Sequence, residues 1–280
     1  MRNRFLIITC LFIFFFHPSQ VTEDYKFRTM SPAGGFYFDG VKGIEQDQEG
    51  FIWIVMDDEL YRFDGFQYKK FYPYFASINQ TKKWLFHNIT SDSRGNLFVN
   101  TSNGIYLYNS QTDSFNRIYD KVATLKTDKA DNLWVWANGI WSILDIRNGK
   151  LTTPLFDGKT VSAVRPAFCM HNDDLYLFHD NTIYRFNYTK NEFTSCSALP
   201  HKDGNIQFAK AHQGKLWLFV GKYGLYKIDL STFNIEEVFD FVPEENNSLR
   251  SFYIDKKGYI WFGTIKGLYI LDPKTPKLSH

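Results

Sequence analysis

Apolar residues in this chain come in short runs separated by polar turns, and the clearest instance is Phe252 to Asp272, FYIDKKGYIWFGTIKGLYILD. An apolar start gives way to an Asp255-Lys256-Lys257-Gly258 turn, then the run Tyr259-Ile260-Trp261-Phe262. A second turn at Lys266-Gly267 precedes the run Leu268 to Leu271. Short β-rich runs between turn residues predict consecutive antiparallel strands, and no 3.6-residue periodicity competes with them.

The same pattern recurs upstream at Ala211 to Leu230, Asn172 to Asn187, Thr127 to Asp145, Ser91 to Asn109 and Gln46 to Gly65. One turn residue marks each unit: Gly50, Gly95, Asp131, Asp174, Gly214 and Gly258, at steps of 45, 36, 43, 40 and 44 residues. A period of roughly 40–45 residues with about four strands per unit predicts an all-β fold, a β-propeller of four-stranded blades. Six repeats are present, which leaves open an incomplete seven-bladed ring. The units fall near 41–72, 86–119, 122–155, 162–197, 204–240 and 249–280.

Each unit supplies a central aromatic: Trp53, Phe98, Trp134, Tyr176, Trp217 and Trp261. A second apolar pair follows in each, from Leu60-Tyr61 in the first to Leu268-Tyr269 in the last. A single sheet cannot bury both of its faces, so neighbouring blades stack and the large aromatics fill the space between them. These residues are expected in the core.

Composition agrees: 44% hydrophobic and 19% aromatic residues are enough for a sizeable core. Acids and bases nearly balance at a formal charge of +2 and are interspersed, so no nucleic-acid surface is expected. At the start, Arg2 and Arg4 precede an apolar run from Phe5 to Phe16, which then turns polar at His17-Pro18-Ser19-Gln20. The run is too short to span a bilayer and matches the core of a secretory signal. Residues 1–20 are therefore expected to be a signal peptide and 21–280 an exported chain. Cys10 lies inside the run, which argues against a lipid anchor.

Cys169 and Cys196 are expected on the innermost and outermost strands of one blade. Three strand spacings separate them by about 14 Å, whereas a disulfide needs Cα atoms under about 7 Å apart. Two free thiols follow. Seven histidines are scattered without HxxH or HExxH spacing, and neither a metal site nor a cofactor is expected.

The recurrent D-x-x-G-x-[IL]-W-[FIV] followed by G-[IL]-Y resembles the two-component regulator propeller repeat. The opening block resembles the start of such sensors: Tyr25-Lys26-Phe27-Arg28, Gly43-Ile44-Glu45-Gln46-Asp47, Gly50-Phe51-Ile52-Trp53, then Leu60 to Phe66. The resemblance spans essentially the whole mature chain and is weakest in the fourth unit. It implies the periplasmic sensor region of a hybrid two-component system histidine kinase, as in gut Bacteroidota, which detects a glycan breakdown product. Such sensors carry two seven-bladed propellers, an immunoglobulin-like domain, a membrane helix and a kinase. With six units and no kinase motif, this chain is expected to be a leading fragment or a shortened relative. The implied partners are an oligosaccharide or other glycan fragment, the remaining sensor domains or a second propeller, and a homodimer.

If strands run A to D outward, the A–B and C–D turns share one face and the B–C and D–A turns the other. The Asp-x-x-Gly turns at Asp47, Asp92, Asp128 and Asp255 are A–B turns with a structural task, Asp capping a turn that Gly opens. The opposite face collects the variable residues and a long insertion from Pro73 to Asn88. Sugars bind on aromatic platforms with polar groups fixing the hydroxyls, so Trp84, Trp136, Tyr223, His179, Asp57 and Lys222 are candidate ligand-binding residues. They serve equally as ordinary loop residues or as contacts to a second propeller.

Two other classes remain. A glycoside hydrolase or polysaccharide lyase would need two carboxylates about 5–9 Å apart; Asp57 and Asp58 are adjacent and diverge, so no catalytic residue is expected. A free-standing secreted scaffold would present a broad apolar patch instead of a pocket. The edges of the first and sixth sheets are expected to favour self-association.

Overall fold

The computed structural model describes residues 40–71, 85–121, 124–137, 139–160, 167–201, 206–240, 249–275 and 277–279. They fall within one compact unit, Phe38–His280. The signal segment, the strand candidate Tyr25-Lys26-Phe27-Arg28 and Trp84 lie outside the described residues.

The strands assemble into six blades, each running outward from an inner strand, and the all-β propeller expected from the repeat is the fold observed. Blade 1 holds β1 (Gly43–Gln46), β2 (Ile52–Val55), β3 (Leu60–Phe63) and β4 (Tyr68–Phe71); blade 2 holds β5 (Phe86–Ser91), β6 (Leu97–Thr101), β7 (Gly104–Asn109) and β8 (Ser114–Tyr119). Blade 3 has β9 (Thr124–Thr127), β10 (Leu133–Ala137), β11 (Ile140–Asp145) and β12 (Lys150–Thr152). Blade 4 comprises β13 (Leu155–Phe156), β14 (Ala167–His171), β15 (Asp174–His179), β16 (Thr182–Asn187) and β17 (Glu192–Ala198). Blade 5 contains β18 (Ile206–His212), β19 (Lys215–Val220), β20 (Gly224–Asp229) and β21 (Ile235–Phe239). Blade 6 ends the series with β22 (Leu249–Ile254), β23 (Ile260–Thr264), β24 (Gly267–Asp272) and β25 (Lys277–Ser279).

Blade 4 departs from the four-strand plan. Leu155-Phe156, arriving from blade 3, pairs in parallel with β17 and makes a fifth strand at its outer edge. The ring of Phe156 stacks on Phe193 at 4.7 Å and 20°, so burial of an aromatic holds a pairing too short to be read as a strand beforehand.

Five of the six central aromatics, Trp53, Phe98, Trp134, Tyr176 and Trp217, sit between blades as the repeat predicts, whereas Trp261 lies on the far face of blade 6. Trp53 and Trp134 are fully buried, Phe98, Tyr176 and Trp217 nearly so, and Trp261 is half-buried. Successive apolar clusters join blades 1 and 2, 2 and 3, 3 and 4, 4 and 5, and 5 and 6. Among the described residues no such cluster joins blade 6 to blade 1. The far face of blade 6 instead presents Tyr253 and Leu268, 57% and 38% exposed.

The Asp turns do the structural work expected of them, and in blade 3 Asp131, at φ +58°, stands where the other turns carry Gly. In blade 3, Asp128 Oδ1 accepts from the backbone N–H groups of Ala130 and Asn132 at 2.9 and 3.0 Å. Its Oδ2 accepts from Asn132 Nδ2 at 2.9 Å and from the buried indole of Trp134 at 2.7 Å. The same indole-to-carboxylate bond recurs from Trp53 to Asp47 at 2.7 Å and from Trp261 to Asp255 at 3.0 Å. One carboxylate thus closes the turn and satisfies the only polar atom of the adjoining core aromatic. In blade 2, where the Phe98 side chain has no N–H, Asp92 accepts from the Asn96 and Arg94 side chains.

Cys169 and Cys196 are free; Cys169 is on the innermost strand of blade 4, as expected, whereas Cys196 is on β17, which the added edge strand β13 keeps from being outermost. No helix among the described residues is long and apolar enough to cross a membrane.

Candidate functional site

Strand order places the end of the second strand of every blade on one face, and five of the six candidate residues lie there. Asp57 follows β2, Trp136 ends near the tip of β10, His179 closes β15, and Lys222 and Tyr223 belong to a single 3-10 turn, Gly221–Tyr223, after β19. Trp84, the sixth, is outside the described residues.

Their surroundings differ. Tyr223 stacks on His201 with ring centres 3.8 Å apart and planes 4° from parallel, and Lys222 Nζ lies 5.1 Å from the Tyr223 ring centre. His201 also meets Tyr226 edge-on at 6.4 Å. Lys222, Tyr223 and His201 therefore form one cationic-aromatic cluster, partly packed on the core between blades 4 and 5. His201 follows β17 of blade 4 and was not singled out from sequence; only the fold carries it beside the turn of blade 5.

Asp57 pairs with Lys42 at 3.1 Å, and both side chains are exposed. Such an open pair is worth little by itself. Beside it, burial and the Lys42 charge lower the pKa of His87, with Asp57 opposing them. His179 is largely covered, with Nε2 3.3 Å from Asp180 Oδ2. Trp136 packs against the core between blades 3 and 4, its indole N–H buried without a hydrogen-bond partner. On this face Asp57 and Lys222 are exposed and Tyr223 is half-buried, and Tyr223 and Lys222 place an aromatic ring and a cation side by side.

The other face is knitted from turn to turn. Ser93 of blade 2 donates to Asp131 of blade 3 through its backbone N–H and its hydroxyl at 2.8 and 2.9 Å, and Lys129 pairs with Asp173 of blade 4 at 3.2 Å. Between blades 5 and 6 a cavity of about 530 Å³ opens on this face, its wall including His212, Lys215, Trp217, Lys227, Tyr259 and Lys274. A short turn lies at its rim. Blade 5 connects β18 to β19 through Gln213-Gly214 alone, whereas blade 6 uses the five residues Asp255 to Tyr259. Two of the wall's cations are already neutralised: Lys215 pairs with Asp229 at 2.6 Å and also with Glu236, and Lys227 pairs with Glu237 at 3.2 Å. The Lys215 bond, with help from Ser231 and Thr232, holds the Asp229 carboxyl well below the ordinary range. Nε2 of His212 is buried there without a partner. Among the described residues no group of three or more His, Cys, Asp or Glu side chains is arranged to hold a metal ion.

With this geometry in place, comparison with known proteins is informative. Residues 243–266 match the family model for the two component regulator propeller, a segment that contains the Asp255-Gly258-Trp261 turn. The resemblance drawn from the repeat is thereby borne out. Two solved structures from B. thetaiotaomicron are similar: the extracellular domains of chains described as hybrid two component systems BT4673 and BT3049. The first shares 22% identity at a TM-score of 0.65, over 86% of this chain and 32% of its own length. For the second the figures are 20%, 0.59, 84% and 34%. This chain thus spans about a third of the length of either. A streptogramin B lyase structure is also similar, at 15% identity and a TM-score of 0.63, over 86% of this chain and 82% of the lyase. At such identities the likeness establishes the propeller fold. Comparison with curated proteins returns no match.

Proposed function

We propose that this propeller is a non-catalytic, exported ligand-binding domain of a two-component sensor, recognising a glycan-derived molecule and passing the signal to a histidine kinase. The observation that carries the reading is the two component regulator propeller repeat at residues 243–266. Similarity to extracellular domains of two hybrid two component systems supports the periplasmic setting. The cluster of Tyr223, His201 and Lys222 supplies an aromatic surface for a sugar ring with a cation beside it for a hydroxyl or carboxylate. Trp136, His179, Asp57 and Trp84 complete the candidate surface on the same reading, and a second propeller or a second copy of the chain is the further partner.

Titration calorimetry of the full chain against a panel of neutral and acidic oligosaccharides tests this. Saturable binding by at least one class, weakened about 10-fold or more by Tyr223→Ala, is the expected result. No binding across the panel, or binding indifferent to Tyr223→Ala, Lys222→Ala and His201→Ala alike, contradicts it. The similarity to a lyase over most of both chains favours a second reading, an enzyme on the same fold. Appearance of cleaved product in the same mixtures would select it.

A further inference from the structure

The inner strands β1, β5, β9, β14, β18 and β22 surround the axis, and neighbours among them pack on each other from blade 1 to 2, 2 to 3, 4 to 5 and 5 to 6. On each inner strand one residue is paired across the ladder with the blade's central aromatic. These are Glu45 opposite Trp53, Thr90 opposite Phe98, Lys126 opposite Trp134, Cys169 opposite Tyr176, Lys210 opposite Trp217 and Tyr253 opposite Trp261. Equivalent register puts all six at one level along the inner strands.

Charge at that level is confined to alternate blades: an acid on blade 1 and lysines on blades 3 and 5. Glu45 is already engaged, its Oε1 accepting from Ser91 N at 3.0 Å and from the Ser91 hydroxyl. Thr90 Oγ1 shares a hydrogen bond with Thr127 Oγ1 at 3.1 Å. Burial pushes the Cys169 thiol up to about 12, so it is neutral. The lysines' neighbours Leu125, Ala209 and Ala211 are packed into inter-blade clusters. Alternation along a strand then turns Lys126 and Lys210 the other way.

Lys126 keeps accessible surface, yet its ammonium is enclosed enough that desolvation, followed by the Lys210 charge, lowers its pKa, with Glu45 opposing. Those facts together describe a group opening onto an internal channel within electrostatic reach of a second lysine. Among the described residues neither lysine has an ion pair or a hydrogen bond from its side chain, although other lysines of the chain pair repeatedly with carboxylates. Two like charges, both keeping accessible surface on strands that surround the axis, face one occupied carboxylate and leave an excess of positive charge, which a small anion would neutralise.

We propose that the axial channel binds a small oxyanion, free or carried on an acidic sugar, between Lys126 and Lys210 near the Asp-x-x-Gly turns. The site is separate from the Tyr223 cluster, and neither depends on the other. Free sulfate and galacturonic acid, a carboxylate on a sugar, are the two probes, titrated into the full chain at constant ionic strength and followed by calorimetry and thermal unfolding. Saturable binding of either probe, lost by 10-fold or more in Lys126→Gln and in Lys210→Gln but retained in the exposed-turn control Lys190→Gln, supports the site. Which probe binds tells a free ion from a sugar-borne one. Without anion, the two channel variants unfold at or above the wild-type temperature, because each removes repulsion; this also shows that they fold. Binding of neither probe, or binding unchanged in both channel variants, overturns the proposal. Failure of a neutral-glycan panel would bear on the Tyr223 reading alone.

Discussion

Replacing Asp128 by Ala isolates what the repeat's carboxylate contributes. Asp128 is buried and accepts four hydrogen bonds, two from turn backbone and two from side chains. Its removal leaves the Trp134 indole N–H in an apolar pocket with no partner, at a cost of about 1–3 kcal/mol. Loss of the charge-assisted turn bonds adds roughly 1.5–3 kcal/mol, reduced because the freed backbone groups can reach water. A total of about 3–5 kcal/mol follows, which for a domain of this size lowers Tm by about 6–15 °C. Trp134→Phe removes the indole donor while keeping most of the ring in its cluster, and its coupling to Asp128→Ala should be about 1–2 kcal/mol. Urea unfolding followed by circular dichroism measures all four corners of the cycle. Asp128→Asn should fall between, since it retains one acceptor but turns an amide toward two donors. A loss below about 1 kcal/mol for Asp128→Ala, or no coupling to Trp134, would refute the claim that these turns are structural.

Two more expectations rest on single positions. Gly104 has φ +121° and an added Cβ would lie 2.2 Å from the backbone oxygen of Tyr119, so Gly104→Ala should cost more than about 3 kcal/mol in urea unfolding. Gly214→Ala, with φ +74° and open space around it, should cost only about 1 kcal/mol; equal losses would contradict the assignment. Because burial holds the Cys169 thiol near 12, native Cys169 should stay unmodified by iodoacetamide between pH 7 and 10. In urea it should react as an ordinary thiol of pKa about 8.5. Peptide mapping after labelling reads the difference, and rapid native labelling at pH 8 would contradict the inner-strand burial.

The blades were legible because their chemistry is local. A turn glycine, an aromatic at fixed distance and a second apolar pair specify strand and face by period two, and the structure keeps Trp53, Trp134 and Trp217 where that period puts them. The pairing of Asp128 with Trp134 required one further step, noticing that the six-residue separation brings a turn carboxylate to an indole. Leu155-Phe156 was not legible, since two residues carry no periodicity and their strand exists only because β17 is there to pair with. His201 stayed hidden for a related reason: its stacking partner Tyr223 lies beyond the first two strands of the next blade. The level shared by Glu45, Lys126 and Lys210 emerges from cross-strand register, which repeat spacing alone does not supply.

Recognition without turnover is decided by holding the full chain with equimolar oligosaccharides from the panel, separating bound from free by equilibrium dialysis, and weighing both fractions by mass spectrometry. Retention of at least one oligosaccharide at its original mass after prolonged incubation is the predicted result. Recovery of fragments, or of a product lighter or heavier than the starting sugar, would contradict the claim and make this propeller an enzyme.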